Sequence, residues 1–165
     1  MSNHPIDTAR LLDSELFAGL GELEAAPVLE IAASLEVAAG GRVFLLGQDA
    51  NSVFVIDRGR VALTLPLAIE GDAREVEVQQ KDVRAVIGWS ALVAPHHYTM
   101  SARAVDDCLL VSFSRSKMSE IFEQHPRINA VIQTNLARVV ASRLTQLQAI
   151  LVRDLQRWVS ERMGG

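Results

Sequence analysis

The stretch Ile87-Gly88-Trp89-Ser90-Ala91-Leu92-Val93-Ala94-Pro95-His96-His97-Tyr98-Thr99-Met100-Ser101-Ala102-Arg103-Ala104 contains the densest cluster of conformationally special residues in the chain. Gly88 frees the backbone, Ala91-Leu92-Val93 is long enough for one helical turn, and Pro95 closes that turn. A helix start leaves several N–H groups unpaired, which suits an anion, phosphate above all. The pattern therefore predicts an anion-binding turn, with an ordinary loop between two strands as the alternative.

The length, composition, net charge and cysteine count limit the class of protein. A chain of 165 residues with 49% hydrophobic and 22% charged residues fits one globular domain, or one domain plus an appended element. A net charge of −4 and a pI near 5.5 argue against nucleic acid as a partner. The single cysteine, Cys108, excludes an internal disulfide and fits a reducing compartment. There is no signal-peptide pattern and no apolar run of the roughly 20 residues that span a membrane, so we expect a cytoplasmic protein.

Residues 1–34 are predicted to form a helical N-terminal segment. The range 6–12 indicates a first short helix, and Asp13-Ser14 offers a cap for a second one over residues 15–17, before two glycines interrupt the run. Pro27 opens or bends a third helical stretch. Its helix-like spacing is carried by Leu23, Val28, Ile31, Ala32 and Leu35.

Residues 35–113 change to short strands divided by turns. Apolar or alternating runs predict strands at 43–46, 53–56, 61–65, 75–78, 99–105 and 108–113. Turn signals stand between them at 40–41, 47–49 and 57–59, and 70–72 reads as a hairpin tip. Strands at this regular spacing favour an antiparallel barrel or sandwich.

Residues 114–165 return to helices. Ser114 is a predicted N-cap for a short helix, and Pro126 suits the first turn of the next one. That last helix runs for roughly 30 residues, or about 45 Å. Its predicted apolar stripe consists of Ile128, Ile132, Leu136, Val140, Leu144, Leu147, Leu151, Leu155 and Trp158.

A compact β-domain does not cover a helix of that length. We therefore expect the far half of the stripe to pack on a second copy of the chain, giving a homodimer through the C-terminal helix. The alternative is a helix folded back on its own domain. Arg138, Arg143 and Arg153 lie off the stripe and are predicted to form a solvated face.

Together these features resemble a cyclic-nucleotide-binding domain of the catabolite-activator type, from about Leu16 to Leu155. Gly40, Gly47 and Gly59-Arg60-Val61 fit the family's turns, residues 16–20 resemble its opening helix, and 87–104 falls at its phosphate-binding cassette. The resemblance implies a mainly β fold with flanking helices: an eight-stranded, jelly-roll-like β-roll (a double-stranded β-helix) and a long C-terminal helix that dimerises.

Two departures from the family pattern bear on the ligand. The family cassette has a glutamate that takes the ribose 2′-hydroxyl, and Trp89 stands at that position here. An arginine near the end of the family cassette pairs with the cyclic phosphate, and Tyr98 stands there. Loss of a charge-assisted pair weakens binding. We therefore do not expect cyclic AMP to bind tightly through the usual contacts, and we expect a pocket suited to a flat or apolar effector.

The leading prediction is a small-molecule sensor for a cyclic nucleotide or another small effector. The candidate ligand-binding residues are Gly88, Trp89, Ser90, Ala91, Leu92, Tyr98, Thr99 and, on the long helix, Gln148. The few residues after Leu155 are too short for a helix-turn-helix, so we expect a stand-alone domain without nucleic acid as partner. The sequence contains no P-loop, nucleophile elbow or metal-ligand spacing, and we expect no enzymatic activity.

Two other functions stay open. One is a scaffold that has lost its ligand and acts as a dimeric interaction module, with an unidentified protein partner. The other is a haem-based sensor that uses His96 or His97. Adjacent histidines on a loop generally point apart, so a solvent-facing pair is the simpler interpretation.

Overall fold

The computed structural model of the protein describes residues 5–69 and 72–163. Two short helices precede the strands, a four-residue 3₁₀ helix interrupts them, and two helices follow. In chain order the elements are α1 (Thr8–Leu12), α2 (Ala26–Glu30), β1 (Ala33–Val37), β2 (Arg42–Phe44), β3 (Ser52–Arg58), β4 (Val61–Ile69), β5 (Asp72–Lys81), β6 (Val86–Ile87), the 3₁₀ helix (Trp89–Leu92), β7 (Ser101–Ala104), β8 (Cys108–Ser114), α3 (Arg115–Gln124) and α4 (Pro126–Met163).

The eight strands form two antiparallel sheets of four strands each. One sheet has the order β1-β8-β3-β6 and the other β2-β7-β4-β5. The expected mainly β, jelly-roll-like fold with a long C-terminal helix is confirmed, although the sheets do not close into a barrel. The predicted hairpin tip at 70–72 falls largely on residues 70 and 71, outside the described residues. The strands on either side of it pair from Ile69 with Asp72 onwards.

The turn between β3 and β4 depends on Gly59. Its φ is +84°, and a Cβ there would lie 2.8 Å from both the Asp107 carbonyl oxygen and Cys108 Sγ. Only glycine fits that backbone and that close approach. Beside it, Arg60 Nε and Nη2 donate to the two carboxylate oxygens of Asp106 at 2.8 and 3.0 Å. The turn is therefore fixed by sterics inside the fold and by an ion pair at its surface.

The core lies between the sheets and continues under the helices. Phe17, from the N-terminal segment, packs against Phe113 of β8, with ring centroids 4.9 Å apart. Strand residues such as Ile56 and Leu110 are fully buried, and so are Met118 of α3 and Ile132 of α4. Because one continuous apolar cluster joins the roll and the helices, α4 is anchored on the roll along its first half.

The helix predicted over residues 15–17 does not form. Residues 13–19 make a series of turns, with Leu20 N–H donating to the Phe17 carbonyl instead of to that of Leu16. The carbonyls of Leu16 and Ala18 accept from Asn135 Nδ2 at 3.0 and 2.8 Å. A tertiary hydrogen bond to α4 has therefore replaced the helical pairing that the local sequence favours.

The helix predicted beyond Gly21 forms only as α2, with Pro27 in its first turn and Val28 buried, and the outer positions of the spacing are wrong. Leu23 is 94% exposed, and Leu35 lies in β1, where it pairs with Leu110 of β8. Strand pairing overrides local helical spacing there. The range 86–87 is a strand of two residues, too short to give a pattern. The β-strand region begins at Ala33, before the predicted boundary at 35, and ends at Ser114, after the predicted end at 113.

The C-terminal helices begin where proline and serine predicted. Ser114 is the N-cap residue of α3, but its hydroxyl lies 3.0 Å from that of Ser116 and makes no capping bond. Pro126 is the first residue of α4, which has 38 residues and is longer than expected. No helix in the described part of the chain is long and apolar enough to cross a membrane.

The buried face of α4 differs from the predicted stripe after Leu136. The buried apolar positions continue to Val139 and end at Arg143, whereas Leu144 is 56% exposed. Steps of four residues overshoot a helical turn by about 40°, so a run of such steps moves off one face. The prediction that Arg143 belongs to a solvated face is wrong, because it is only 8% exposed.

We expect Asn135→Ala to lower the free energy of unfolding by about 2–3 kcal/mol, because it leaves two carbonyls unpaired beneath α4. Urea denaturation followed by circular dichroism measures this. The matched control is Gln133→Ala, an exposed position on the same helix, which should change stability by less than about 0.5 kcal/mol. Equal effects of the two variants would contradict the role assigned to Asn135.

Candidate functional site

The predicted turn forms at the end of β6. Gly88 has φ +68° and precedes the 3₁₀ helix. A Cβ at Gly88 would lie 3.1 Å from Tyr98 Cε1, 3.2 Å from Phe44 Cε1 and 3.2 Å from the Ser52 carbonyl oxygen. Both its backbone conformation and its close neighbours therefore favour glycine.

Tyr98 fills the space against Gly88. Its ring stacks on that of Phe44, with centroids 4.0 Å apart and planes inclined by 14°. Its hydroxyl donates to the Ser52 carbonyl at 2.7 Å and accepts from the Ser52 N–H at 3.3 Å. Burial raises the pKa of Tyr98, against a smaller lowering by the bond to Ser52. Tyr98 is thus a packed and hydrogen-bonded part of the roll.

The backbone amides expected to hold an anion are only partly free. The Ala91 N–H donates to the Gly88 carbonyl at 3.0 Å, inside the turn. The helix itself has four residues, which gives it a small dipole. The amide of Ala91 therefore has no proton left for a ligand.

A cavity of about 330 Å³ lies between this turn and α4. Its lining is mostly apolar, with Phe44, Leu63, Trp89 and Met100 from the roll and Val140, Leu144 and Leu147 from α4. Polar atoms come from Gln79, Ser90, Tyr98, Thr99 and Arg143, and Gly88 completes the wall. We name this space the roll–helix pocket.

Five of the eight predicted site residues line the roll–helix pocket: Gly88, Trp89, Ser90, Tyr98 and Thr99. Ala91 and Leu92 line a second cavity of about 350 Å³ instead, because the 3₁₀ helix turns their side chains to its other side. Gln148 is exposed and lies outside the lining of both, whereas Leu147 enters the roll–helix pocket. On α4 the lining residue next to the predicted Gln148 is therefore Leu147.

The two histidines point apart. His96 Nδ1 lies 3.1 Å from the Ala91 carbonyl oxygen, and His96 lines the second cavity. His97 is exposed, with Nδ1 3.1 Å from Asp49 Oδ1. Neither lines the roll–helix pocket. Among the described residues, no group of three or more histidine, cysteine or acidic side chains is arranged to hold a metal ion.

One end of the roll–helix pocket is charged. Arg143 Nη2 donates to Glu15 Oε2 at 2.9 Å and approaches the Val86 carbonyl oxygen at 3.4 Å. Glu15 Oε2 also accepts from the Val86 N–H at 2.9 Å. The Arg143 side chain is 9% exposed and that of Glu15 is 37% exposed. This ion pair links the N-terminal segment, β6 and α4 at one point.

A second buried cation lies behind the pocket wall. Lys81 is 7% exposed, and its Nζ donates to Gln146 Oε1 at 3.1 Å. The same oxygen accepts from Gln79 Nε2 at 3.2 Å. Burial lowers the pKa of Lys81, and the nearby charge of Arg143 lowers it further, while the carboxylates of Glu15 and Asp82 oppose these effects.

Sequence reasoning missed Arg143, Lys81 and Glu15. A signal for Arg143 was present, since the steps Ile132, Leu136, Val139 and Arg143 alternate four and three residues and so stay on one face. Lys81 ends a polar strand and Glu15 lies on a turn, so neither carries a pattern. Only the tertiary fold brings them together.

The model of the family described as Cyclic nucleotide-binding domain matches residues 34–125, more than half of the chain. The chain belongs to that family. Its domain contains the turn at Gly88, most strands and α3, while α4 lies beyond the match. A comparison with curated protein sequences gives no match.

Solved structures support the same fold. A candidate cyclic nucleotide-binding protein from Geobacter metallireducens GS-15 is 25% identical with a TM-score of 0.70, over 85% of this chain and 99% of that one. The catabolite activator protein of Thermus thermophilus is 24% identical with a TM-score of 0.67, over 87% and 63%. A cyclic nucleotide-binding domain from Methylobacillus flagellatus KT is 14% identical with a TM-score of 0.74, over 88% and 81%.

Tyr98 is the chain's one tyrosine, so its ionisation is directly observable. We expect its absorbance at 295 nm to titrate above the ordinary pKa of about 10 in the folded domain, and near 10 in denaturant. The pKa of Tyr98 is higher in the folded than in the unfolded chain. The protonated phenol therefore stabilises the fold fully below pH 10, and this contribution to the free energy of unfolding is lost as pH rises through the folded pKa.

A rapid pH-jump measurement in a stopped-flow spectrometer reads the folded value before the chain unfolds. Tyr98→Phe is the control, because it keeps the ring and removes the signal. A folded midpoint at or below 10 would contradict the buried, hydrogen-bonded phenol.

Proposed function

We propose that this domain senses a small molecule that occupies the roll–helix pocket. The observation that carries the proposal is the pocket itself, since both the turn and α4 contribute apolar walls through Trp89 and Leu147. Its volume of about 330 Å³ lies in the range of small-ligand sites, which are mostly apolar with a few polar groups. A ligand there touches the roll and the helix at once.

The effector we propose is flat and largely apolar. The family's two ionic contacts correspond to Trp89 and Tyr98, and the Tyr98 hydroxyl is already paired with Ser52. A phosphate at Gly88 would also meet the Tyr98 ring, because that ring lies within van der Waals distance of the glycine. These contacts support an aromatic effector over a cyclic nucleotide bound in the usual way.

The open pocket favours a sensor over a ligand-free scaffold. Tyr98 fills the space beside Gly88, yet the volume between Trp89 and Leu147 stays open. The haem alternative has less support, since the lining contains neither histidine. Haem binding is tested directly, by the absorption spectrum after haem addition.

We also propose that α4 pairs with α4 of a second copy. Beyond the pocket, Leu151, Leu155 and Trp158 are 58%, 52% and 52% exposed and fall on one side of the helix. A run of half-exposed large apolar side chains needs a partner surface. The partner with a matching apolar face is the same helix of a second chain, which gives a symmetric pair.

Leu144 joins the two surfaces. It lines the roll–helix pocket and is 56% exposed toward the side on which Leu151 lies. An effector that moves Leu144 therefore changes how two copies of α4 meet. This is the regulatory step that we propose, a ligand-dependent change in the position of α4.

For the ligand we expect the neutral aromatic dye N-phenyl-1-naphthylamine to bind once per chain. Cyclic AMP and cyclic GMP should bind roughly a hundredfold more weakly than they would with an arginine–phosphate pair, because that pair is missing. Dye fluorescence and isothermal titration calorimetry measure the two kinds of ligand.

Val140→Trp should fill the pocket and abolish dye binding. Ala141→Trp, on the exposed side of the same turn, should leave it unchanged. If calorimetry shows that cyclic AMP binds at micromolar concentration, the proposal that the usual nucleotide contacts are lost is wrong. Absence of every ligand would favour the scaffold, and a Soret band after haem addition would favour haem.

For the dimer we expect Leu151→Glu to convert the protein to a monomer, because a carboxylate cannot be buried unpaired between two helices. Sedimentation velocity measures the mass. Arg153→Glu introduces the same side chain on the opposite face of the helix and should leave the dimer intact. A wild-type protein that is monomeric at high micromolar concentration would contradict the pairing.

A further inference from the structure

Arg143 is the most deeply buried charged group that lines the roll–helix pocket. It lines the pocket from α4, as Val140 and Leu147 do, and it is 8% exposed. A buried guanidinium needs acceptors for its five N–H groups, since each unpaired one is costly in an apolar site. Acceptors that the protein does not supply to this guanidinium can come from a ligand in the pocket.

The contacts of Arg143 occupy one of its three nitrogens. Nη2 makes both hydrogen bonds, to Glu15 Oε2 and to the Val86 carbonyl oxygen. Within residues 5–69 and 72–163, no hydrogen bond involves Nε or Nη1. The guanidinium thus has donors to spare on a wall that faces the pocket.

The buried charges around this end do not balance, although the exposed carboxylate of Asp82 also acts on Lys81. Two cations, Arg143 and Lys81, are more than nine-tenths buried. The Arg143 guanidinium forms an ion pair with Glu15, whose side chain is 37% exposed. In the described part of the chain Lys81 forms no ion pair, and its ammonium rests on the Gln146 amide oxygen. An excess of buried positive charge favours an anion at this end.

We infer that the roll–helix pocket takes an effector with an apolar aromatic body and one anionic group, and that this anion binds the guanidinium of Arg143 on α4. The inference rests on the proposed function, because it concerns the same pocket. The aromatic body lies along Trp89 and Leu147, and the anion accepts from Nε and Nη1. Charge recognition then comes from a side chain of the helix that reaches Val86 of β6, two residues before Gly88.

Glu15 competes with that anion. Both negative groups lie on one guanidinium, Glu15 at Nη2 and the ligand at Nε and Nη1, so the ligand weakens the bond between Glu15 and Arg143 by electrostatic repulsion. Glu15 belongs to the segment that Asn135 also holds. Ligand binding therefore loosens one of the contacts between the N-terminal segment and α4.

A matched pair of dyes tests the inference on the full chain. 8-Anilinonaphthalene-1-sulfonate has the same aromatic body as N-phenyl-1-naphthylamine plus one sulfonate, which stands in for the anionic group. We expect the wild type to bind the sulfonate dye roughly ten- to hundredfold more tightly than the neutral one, the size of one or two charge-assisted hydrogen bonds. Val140→Trp should abolish the binding of both.

Arg143→Gln should remove the preference for the sulfonate dye over the neutral dye, because only the sulfonate needs the guanidinium. A cooperative thermal transition followed by circular dichroism shows that this variant is folded. Arg153→Gln removes one charge from an exposed position of the same helix and should change neither affinity. Glu15→Gln keeps an acceptor for the Val86 N–H and removes the competing charge, so it should raise the affinity for the sulfonate dye.

The two failures are distinguishable. If the wild type binds both dyes equally, or if Arg143→Gln weakens both alike, the role of Arg143 is overturned and the pocket stands. If neither dye binds, or if Val140→Trp leaves their binding intact, the proposed function falls with it.

Competition against the bound sulfonate dye distinguishes the two anionic groups that are common in natural ligands, a carboxylate and a phosphate. 1-Naphthoate carries a carboxylate, 1-naphthyl phosphate a phosphate and 1-naphthol no charge at neutral pH. We expect one of the two anions to compete at least tenfold better than 1-naphthol, which identifies the anionic group. Equal competition by all three would overturn the inference.

Discussion

The packing of α4 across the β-roll is the constraint on which the geometry of this domain depends. Ile132, Leu136 and Val139 are buried, and Asn135 between them holds the carbonyls of Leu16 and Ala18. One helical face thus supplies apolar burial and also satisfies backbone groups of a segment that forms no regular helix. The same face ends at Arg143, which places a charge at the edge of the roll–helix pocket.

The domain has the architecture of its family, and the turn at Gly88 is packed against aromatic rings. Gly88 has the positive φ that the turn needs, but its neighbours are the rings of Tyr98 and Phe44. A phenol bonded to a main-chain carbonyl is neutral over the physiological range, so this wall offers packing and little charge. The buried charges are instead Arg143 of α4 and Lys81 at the end of β5. They lie where the helix meets the roll, with Arg143 next to Val86 of β6.

Most of the fold was predictable from the sequence, and about half of the site was. The strand region, the start of α4 at Pro126 and the turn glycines follow from residue types whose backbone preferences are strong. The turns at residues 13–19 and strand β1 were not predictable, because Asn135 and β8 determine them through contacts distant in sequence. Arg143 was misplaced by counting in fours along α4. Glu15 and Lys81 carry no local signal at all.

The length of α4 beyond the pocket has a mechanical consequence. From Leu147 to Met163 the helix continues for roughly 24 Å at a rise of 1.5 Å per residue, and from Leu151 onwards all its side chains are exposed. This part is a lever whose fulcrum is the Arg143 end of the pocket. Met163 lies roughly 30 Å along the helix from Arg143, so a tilt of roughly 10° at the fulcrum displaces the far tip by about 5 Å, nearly one helical pitch. In the proposed sensor, small adjustments around the effector are thereby magnified into movements large enough to realign the second copy of the helix.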